Sequence, residues 1–444
     1  MKYAVAPVLA LVLLLPSIAR AELVPESGSA TDGSLAVAPD GSPRIGYLAD
    51  GRLMVASRAL AGTWTAEQAA ALPGSSALID AVAAGSGSVF VLVQDTGGRW
   101  LALEERTTAG WRAHLLVRSV RHNASLGLAG LALDRSGRPV VAYALRLPTK
   151  KTFLRVVRPD AAGRYLTVAV TKAGFPPSQT VPSAAPVVLA SGDVRVVETY
   201  EQAAIEWSPQ GRTWVGQLLY ASALGAAAGP VAALAGSGGV YSAWTELFAG
   251  FNESQVLLVL HRDGEETAIL HRHAFLVGLV LGPDGPEAAA NDYVDGADLG
   301  APGGIDYAGV LVGRSGILVE LDGRVVGYAA DASGGRQILL RGGDGLQWYR
   351  TTAVPSVQVR LTASLLPGGV ALSGSLAGAA GGHVELYREQ PGRPRTLVAT
   401  VAVGGDGSFS ATDTLPPARA LYRAVYEDAA GGLPYASLLR LPIG

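Results

Sequence analysis

The sequence predicts an all-β protein built of repeated antiparallel sheets and followed by a second, smaller β unit, and three observations predict it. Apolar runs of strand length, divided by glycine-bearing turns, return at regular intervals between Ser34 and Ala330. No stretch of useful length competes as a helix: only Ala66 to Leu72 has helical propensity, and Pro73-Gly74 stops it after about two turns. Beyond Ala353-Val-Pro355 the spacing changes, and short strand-like runs crowd into residues 356–444.

Composition bounds what such a chain can be. The 444 residues include 57 Gly, 26 Pro and no Cys, with 35 Lys+Arg against 37 Asp+Glu, 49% hydrophobic and 16% charged residues. That balance excludes a disordered chain, a disulfide-stapled mini-domain, a Cys-ligated metal site and a polybasic nucleic-acid binder.

The first 21 residues read as a secretory signal rather than as fold. Lys2 supplies a positive n-region, Ala4 to Ile18 is apolar apart from prolines and a serine, and Ala19-Arg20-Ala21 is a small-x-small cleavage site. The run is shorter than the ~20 residues a membrane span needs. Cleavage would leave a chain from Glu22 with 33 basic and 37 acidic residues, a formal charge of −4. The expectation is an exported protein, periplasmic or extracellular, with no stable membrane span once the signal is removed.

Seven units of strand, tight turn and strand follow. They include Ser34 to Tyr47, Ile79 to Val93, Leu128 to Tyr143 and Pro186 to Val197, and the last three place their turns at Gly238, Gly285 and Gly323. The turn glycines are 46, 50, 55, 46, 47 and 38 residues apart. Glycine in Asp-Gly and Ser-Gly supplies the positive φ that a two-residue hairpin needs. The first strand of each unit, such as Leu276 to Leu281, is apolar on both faces, as an inner strand packed between neighbours must be. Trp64, Trp111, Trp214 and Trp348 follow glycines near the ends of units, where an indole serves as a wedge between sheets. Such a period built of strands alone is the signature of propeller blades. The fold class is therefore all-β, a seven-bladed β-propeller over residues 22–352, with six blades left open by the short last interval. Thr213 to Thr245, which carries no formal charge, falls into this register as strands rather than as a membrane segment.

Residues 356–444 hold seven strand-like runs: Val357 to Ala363, Val370 to Leu376, His383 to Arg388, Thr396 to Val403, Ser408 to Thr412, Leu421 to Glu427 and Tyr435 to Arg440. Seven short strands in about ninety residues describe an immunoglobulin-like sandwich. Tyr422, after Pro416-Pro417 at the start of a late strand, is placed to act as a tyrosine corner.

Ser208-Pro-Gln-Gly211-Arg-Thr-Trp214 resembles the Asp-box turn of sialidase-like and BNR-repeat propellers, with Gln210 where the motif has Asp and one residue fewer. The resemblance covers residues 22 to 352 and implies fold, because that turn is structural in the family. Sialidase chemistry would need an arginine triad, a Tyr-Glu pair and an acid Asp. Pro43-Arg44-Ile45-Gly46 is a faint echo of the first arginine motif, and no second or third arginine can be placed. Residues 356–444 look like the Ig-like modules that bacteria append to secreted enzymes and surface proteins.

Propeller geometry turns loop lengths into a site. The innermost strands start at one rim and their first turns lie on the other. First turns are uniformly tight, whereas the long connections, Arg146 to Lys151, Glu246 to Ser254, Asp292 to Asp306, Ser119 to Ser125 and Lys172 to Ser183, share the start rim. Loops on a rigid scaffold commonly carry function. The candidate ligand-binding residues there are Tyr200, Glu201, Trp244, Glu246, Asp292, Tyr293 and Asp306, a set of aromatics and carboxylates suited to a glycan. The competing expectation is that the aromatic rings pack between blades.

No cofactor is expected, though Asp292, Asp295 and Asp298 around Gly296 could hold Ca²⁺ through hard oxygen ligands. A solvated acidic loop is the competing reading of that segment. His261, His271 and His273 do not converge as a zinc site should. Asn123-Ala-Ser125 and Asn252-Glu-Ser254 match the glycosylation pattern. No Ser-His-Asp constellation, phosphate loop or nucleotide fingerprint is present. The expected function is a secreted, non-catalytic recognition protein for an extracellular glycan or protein. The alternatives are a sialidase-like glycoside hydrolase or lyase using Glu201, Glu246, Asp292 or Asp306, and a structural cell-surface protein.

Overall fold

The computed structural model describes residues 21–30, 32–69, 77–118, 124–147, 151–171, 182–201, 203–221, 226–236, 239–250, 253–262, 268–272, 274–282, 284–294, 305–313, 316–351, 357–379, 381–389, 395–414, 421–427 and 433–440. Every regular element among them is a β-strand, so none is a helix long and apolar enough to cross a membrane.

Seven antiparallel sheets recur along the first three-quarters of the chain. The first is typical: Asp32–Val37, Pro43–Ala49, Arg52–Arg58 and Trp64–Gln68 pair in sequence order. The strands that open the other six are Ala77–Ala84, Gly130–Leu133 (preceded by Ser125–Leu126), Ser183–Val188, Ala226–Gly236, Ala274–Gly282 and Arg324–Ala330. Each opening strand contacts the opening strand of the next sheet, and the seventh contacts the first, so the sheets stand radially about an axis. The seventh sheet takes its fourth strand from the other end of the chain, because Glu22–Leu23 pairs with Trp348 and Gln347.

The turns between first and second strands lie together on the far rim. Gln337 Nε2 in the seventh sheet donates to the Gly41 carbonyl at 2.9 Å, and a Cβ on Gly192 would lie 4.0 Å from the Arg135 side chain. Several of these turns are three-residue loops rather than the two-residue hairpins expected from Asp-Gly. Ala38, Asp134, Leu189 and Asp331 each accept the N–H of the glycine three residues on and donate to the residue after it, with that glycine at positive φ. This is a type I turn closed by a left-handed glycine. Asp134, and Asp160 in the turn between the last two strands of the same sheet, fix their loops further by accepting two backbone N–H groups and an Arg side chain four residues on.

Two expectations are corrected here. Gly323 is a one-residue link between the sixth sheet (closing strand Gly316–Asp322) and the seventh, whereas the seventh first turn runs through Gly334. Measured to Gly334 the last interval is 49 residues, and the apparent shortening disappears. Ala66 to Gln68 belong to a strand rather than a helix, and 70–72 lie outside the described residues.

The indoles pack between sheets. Trp64 meets Trp348 edge-on at 5.8 Å across the junction of first and seventh sheets, and Arg58 lies 5.0 Å over Trp348. Trp111 packs on the Leu48–Val91 cluster and Trp214 on the Val156–Val196 cluster.

The seven later runs are all strands. Gln358–Leu366, Gly369–Ala377 and Ser408–Asp413 form one sheet, and Thr396–Ala402, His383–Glu389, Leu421–Glu427 and Pro434–Arg440 a second, in that order. The second sheet continues into the sixth sheet of the ring through Leu321 and Tyr435. Asp413 joins the two later sheets by accepting Arg388 at 2.8 Å and the Tyr422 hydroxyl at 2.8 Å. Tyr422 thus bonds a carboxylate across the sandwich instead of the nearby backbone of a tyrosine corner.

Glu104 and Glu198 are among the carboxyls buried in the ring's interior. Burial pushes Glu104 up to about 7 and Glu198 up to about 8, and neither Glu104 oxygen has a hydrogen-bond partner. The folded state holds these protons after the unfolded chain has released them, so stability falls as pH rises from about 4.5 toward about 8. Calorimetry should give a melting temperature several degrees higher at pH 5.5 than at pH 8.5, and the Glu104→Gln, Glu198→Gln pair should flatten that slope. At the ring closure, Glu22 binds Arg58 through two oxygens at 2.6 and 2.7 Å and accepts Trp64 Nε1 at 2.7 Å. Glu22→Ala should cost about 1–2 kcal/mol in denaturant titration, because the cluster is only part-buried.

Candidate functional site

At the start rim the opening strands leave a cavity of about 520 Å³ on the ring axis. Every sheet contributes: Asp32, Asp80, Ala129, Ser183, Val231, Leu276 and Arg324 each come from a different one. That all seven strand beginnings face one cavity follows from their common direction, each running from this rim to the turn rim.

Polar side chains, most of them in this wall, hold the ring together. An opening strand pairs with its own sheet on one side only, so its remaining N–H groups must find acceptors across the gap. Asp32 accepts the N–H of Ile79 at 2.9 Å in the second sheet, and Asp80 accepts that of Ala129 in the third. Ser183 accepts Val231 N–H at 3.1 Å, Thr245 accepts Leu276 N–H at 2.9 Å, and Asn291 both accepts from and donates to the Val325 backbone at 2.8 Å. Between third and fourth sheets the backbones meet directly: Leu128 donates to Pro182 and accepts from Ala184, both at 3.0 Å. A Cβ on Gly127 would stand 2.1 Å from the Pro182 oxygen, so only glycine permits that approach.

The carboxyls are perturbed by the same enclosure. Burial raises Asp32, against the opposing pull of the Ile79 and Gly33 N–H groups and of Arg324 and Arg341. Asp80 is raised well above the ordinary carboxylate range by burial, to which the neighbouring Asp32 charge adds. One Asp80 oxygen has no hydrogen-bond partner.

The residues singled out from sequence are distributed differently. Tyr200 is buried at the end of its strand, its hydroxyl raised to about 12 chiefly by burial, and Glu201 follows directly with φ of 52°. Trp244 is fully buried between fourth and fifth sheets, 5.8 Å from Tyr220 and against Ala204 and Val259, so its ring is a wedge and presents no face to a ligand. Glu246 is fully buried one strand position beyond Thr245, and neither of its oxygens has a hydrogen-bond partner. Asp292 is part-exposed opposite Ala274. Tyr293 and Asp306 are cross-strand partners in the backbone register, and their side chains lie outside the described residues.

Of the calcium candidates, Asp295 and Asp298 lie outside the described residues, and no group of three or more His, Cys, Asp or Glu gathers elsewhere among those described. His261 is buried on the third strand of its sheet, where it pairs with Ser242. His271 pairs with Leu258 on the fourth strand, and His273 is outside the described residues.

The expected contrast between rims is also smaller than loop counting implies. Glu246 to Ser254 is mostly strand, because Gly239–Gly250 and Glu253–Arg262 run long and are separated only by 251–252. Asp50-Gly51 and Gly343-Asp344 are tight turns on the start rim. The residues 148–150, 119–123, 172–181 and 295–304 of the other long connections lie outside the described residues.

No family model matches the chain, and no curated protein matches it. Solved structures do. AofleA from Arthrobotrys oligospora aligns at TM-score 0.42 and 12% identity, over 68% of this chain and 88% of its own. The Aleuria aurantia lectin, described as a six-bladed β-propeller with a novel fucose recognition mode, aligns at 0.39 and 11%, over 74% and 96%. The Penicillium chrysogenum α-L-arabinanase complexed with arabinobiose aligns at 0.40 and 11%, over 63% and 94%. At these scores the likeness decides neither the number of sheets nor the ligand.

The stapling makes a direct prediction. Asn291→Leu strands the Val325 N–H and carbonyl in the interior and should cost about 2–3 kcal/mol, whereas Thr245→Val, which strands one N–H, should cost about half as much. Denaturant titration of both variants checks the ratio.

Proposed function

We propose that this chain is a secreted, non-catalytic recognition protein: a seven-bladed β-propeller over 22–352 that binds an extracellular glycan or protein at its start rim, carrying an immunoglobulin-like module over 356–444. Seven sheets in cyclic contact support the blade count, and a three-strand sheet facing a four-strand sheet supports the module. The secretory reading is supported by the apolar run Ala4 to Ile18 ahead of Ala19-Arg20-Ala21. The observation that carries the binding reading is the axial funnel, whose 520 Å³ falls within the range of small-molecule sites and whose wall mixes apolar surface with a few convergent polar groups. The naming of carbohydrate ligands for the Aleuria aurantia lectin and the Penicillium chrysogenum arabinanase is consistent with a glycan.

Within this reading the ligand contacts shift from Trp244 and Glu246, which are buried, toward the funnel wall. Tyr200, Glu201, Asp292, Tyr293 and Asp306 remain as rim residues around it. Calcium at Asp292, Asp295 and Asp298 remains a proposal that equilibrium dialysis with ⁴⁵Ca²⁺ would test.

A second reading is favoured by one observation. Asp32 and Asp80 line the same funnel, and Asp80 is raised further than Asp32 by burial and by the neighbouring Asp32 charge, and two carboxyls held apart in proton affinity are what an acid and base pair in glycoside cleavage needs. Hydrolysis of aryl glycosides that disappears in Asp80→Asn would support it.

Filling the funnel tests the main proposal. Val326 lines it and is half-buried, so Val326→Trp should leave the melting temperature within a few degrees and abolish binding on a glycan or protein array. Array binding that survives unchanged would remove the funnel as the site.

A further inference from the structure

The last strand of each sheet is its outermost, and pairing within the sheet leaves a row of main-chain N–H and C=O groups on its outer side. Such edges recruit other strands unless they are covered, short or charged. In this ring most are guarded. The sixth sheet's edge is joined by Tyr435 of the second unit, and the seventh sheet ends in the two-residue Glu22–Leu23. The first, second and fifth end in strands that contain Glu67, Arg112 with His114, and His271 with Arg272. The third ends in Tyr165–Ala169, which is only five residues long.

The fourth sheet has none of these guards. Its last strand, Thr213–Ala221, runs nine residues without a charged side chain or a proline, and no described strand pairs with its outer side. Val215 is 44% exposed and Leu218 60% exposed, so the edge also leaves apolar side chains in water. We propose that this edge is a homodimer contact, in which Thr213–Ala221 pairs antiparallel with the same strand of a second copy and joins the two fourth sheets into one.

The register follows from the hairpin that precedes the strand. Gln210 pairs with Thr213 across residues 211–212, and the closing pair of a two-residue hairpin exchanges its hydrogen bonds. Exchange then alternates, so Thr213, Val215 and Gln217 spend their main-chain groups on the neighbouring strand. Trp214, Gly216 and Leu218 turn theirs outward. Pro209 fits this phase, because it stands opposite Trp214 and has no N–H to exchange. A two-fold axis through Gly216 brings the outward groups of both copies together: Gly216 meets Gly216, and Trp214 meets Leu218 on either side. Those pairs supply about six main-chain hydrogen bonds.

A second copy is the occupant this edge fits. A two-fold contact sets a surface against itself, so charges in the strand would be brought close to their own copies, and here there are none. Pairing also withdraws the exposed apolar side chains from water, with Leu218 beside Trp214 and Val215 beside Gln217. The molecule already extends one sheet by the same device, where Leu321 pairs with Tyr435. An edge of this length buries less than the ~1,600 Å² of a standard interface, so the dimer forms with rising concentration rather than permanently.

Sedimentation velocity of the chain from Glu22 over a concentration series tests this, with two double variants chosen by the register. Val215→Glu with Gln217→Glu sets like charges directly opposite one another on both sides of the axis and should weaken association at least about tenfold. Val215→Lys with Gln217→Glu sets opposite charges in the same places and should keep association within about threefold of wild type. Both positions are exposed, and circular dichroism checks that the fold is kept. Should either variant not fold, Leu218→Asp on the other face of the strand should weaken association in its place. A wild-type chain that stays monomeric throughout the series overturns the proposal, as does a dimer that survives Val215→Glu with Gln217→Glu or Leu218→Asp. Equal loss of association in both double variants overturns the register and the two-fold pairing with it.

Discussion

The structure depends on pairing the N–H groups that the opening strands turn toward their neighbours. Within a sheet the ladder satisfies both strands, but where sheets meet at the axis no ladder exists. A short polar side chain from one sheet therefore reaches the next opening strand, through Asp32, Asp80, Ser183, Thr245 and Asn291 in turn. Short side chains suit the task because the gap is narrow and a longer group would have to fold back. The third junction needs none, since Gly127 and Gly130 let two backbones come within hydrogen-bonding distance. The seventh junction is the seam, and there Glu22, Arg58, Trp64 and Trp348 form a charged and aromatic clasp.

Four of the staples, Asp32, Asp80, Ser183 and Asn291, also stand in the cavity wall. A side chain that accepts an N–H across the gap necessarily stands where the strands begin, at the mouth of the axial space. Most of its hydrogen-bonding capacity is then consumed by the fold. Little capacity is left over, and the clearest instance is the unpartnered oxygen of Asp80, which is itself closed to solvent. Asp80 also occupies a register shift, where Ile79 and Ala81 pair with adjacent residues Val93 and Leu92. The extra residue frees its side chain from the regular alternation of the strand, consistent with the use of bulges to re-aim a group.

Most of the architecture was legible in the sequence because hairpin turns and apolar strands are local signals. The later seven strands and the indole wedges were read from alternation and glycine spacing. Gly323 misled because a one-residue link between two strands has the same local pattern as a hairpin turn, and only pairing partners distinguish them. The site was less legible. Trp244 and Glu246 read as the end of a strand, but that strand runs on to Gly250 and leaves them in its middle, where the neighbouring sheet closes over them, and burial between sheets leaves no mark on a single strand's pattern. Asp80 did leave one, as a charged residue inside Leu78-Ile79-Asp80-Ala81-Val82, where a strand packed on both faces should have none.

The later sheets bear on the same rim. The sixth sheet's closing strand ends at Leu321 and Asp322, one residue before the link to Arg324 at the funnel lip. Leu321 pairs with Tyr435, and Asp322 receives Arg395 at 2.7 Å and Arg423 at 3.1 Å. Arg423 is itself buried and also bound to Glu389 at 2.7 Å. Charges enclosed in this way are stable only when their partners stay in place, because separating them would leave an uncompensated ion in the interior. A flexible tether would gain nothing from such a cluster. The joint therefore holds the second unit against the sixth sheet, and the core beneath it, from Val280 and Tyr349 to Val359 and Tyr422, runs without a break from one to the other.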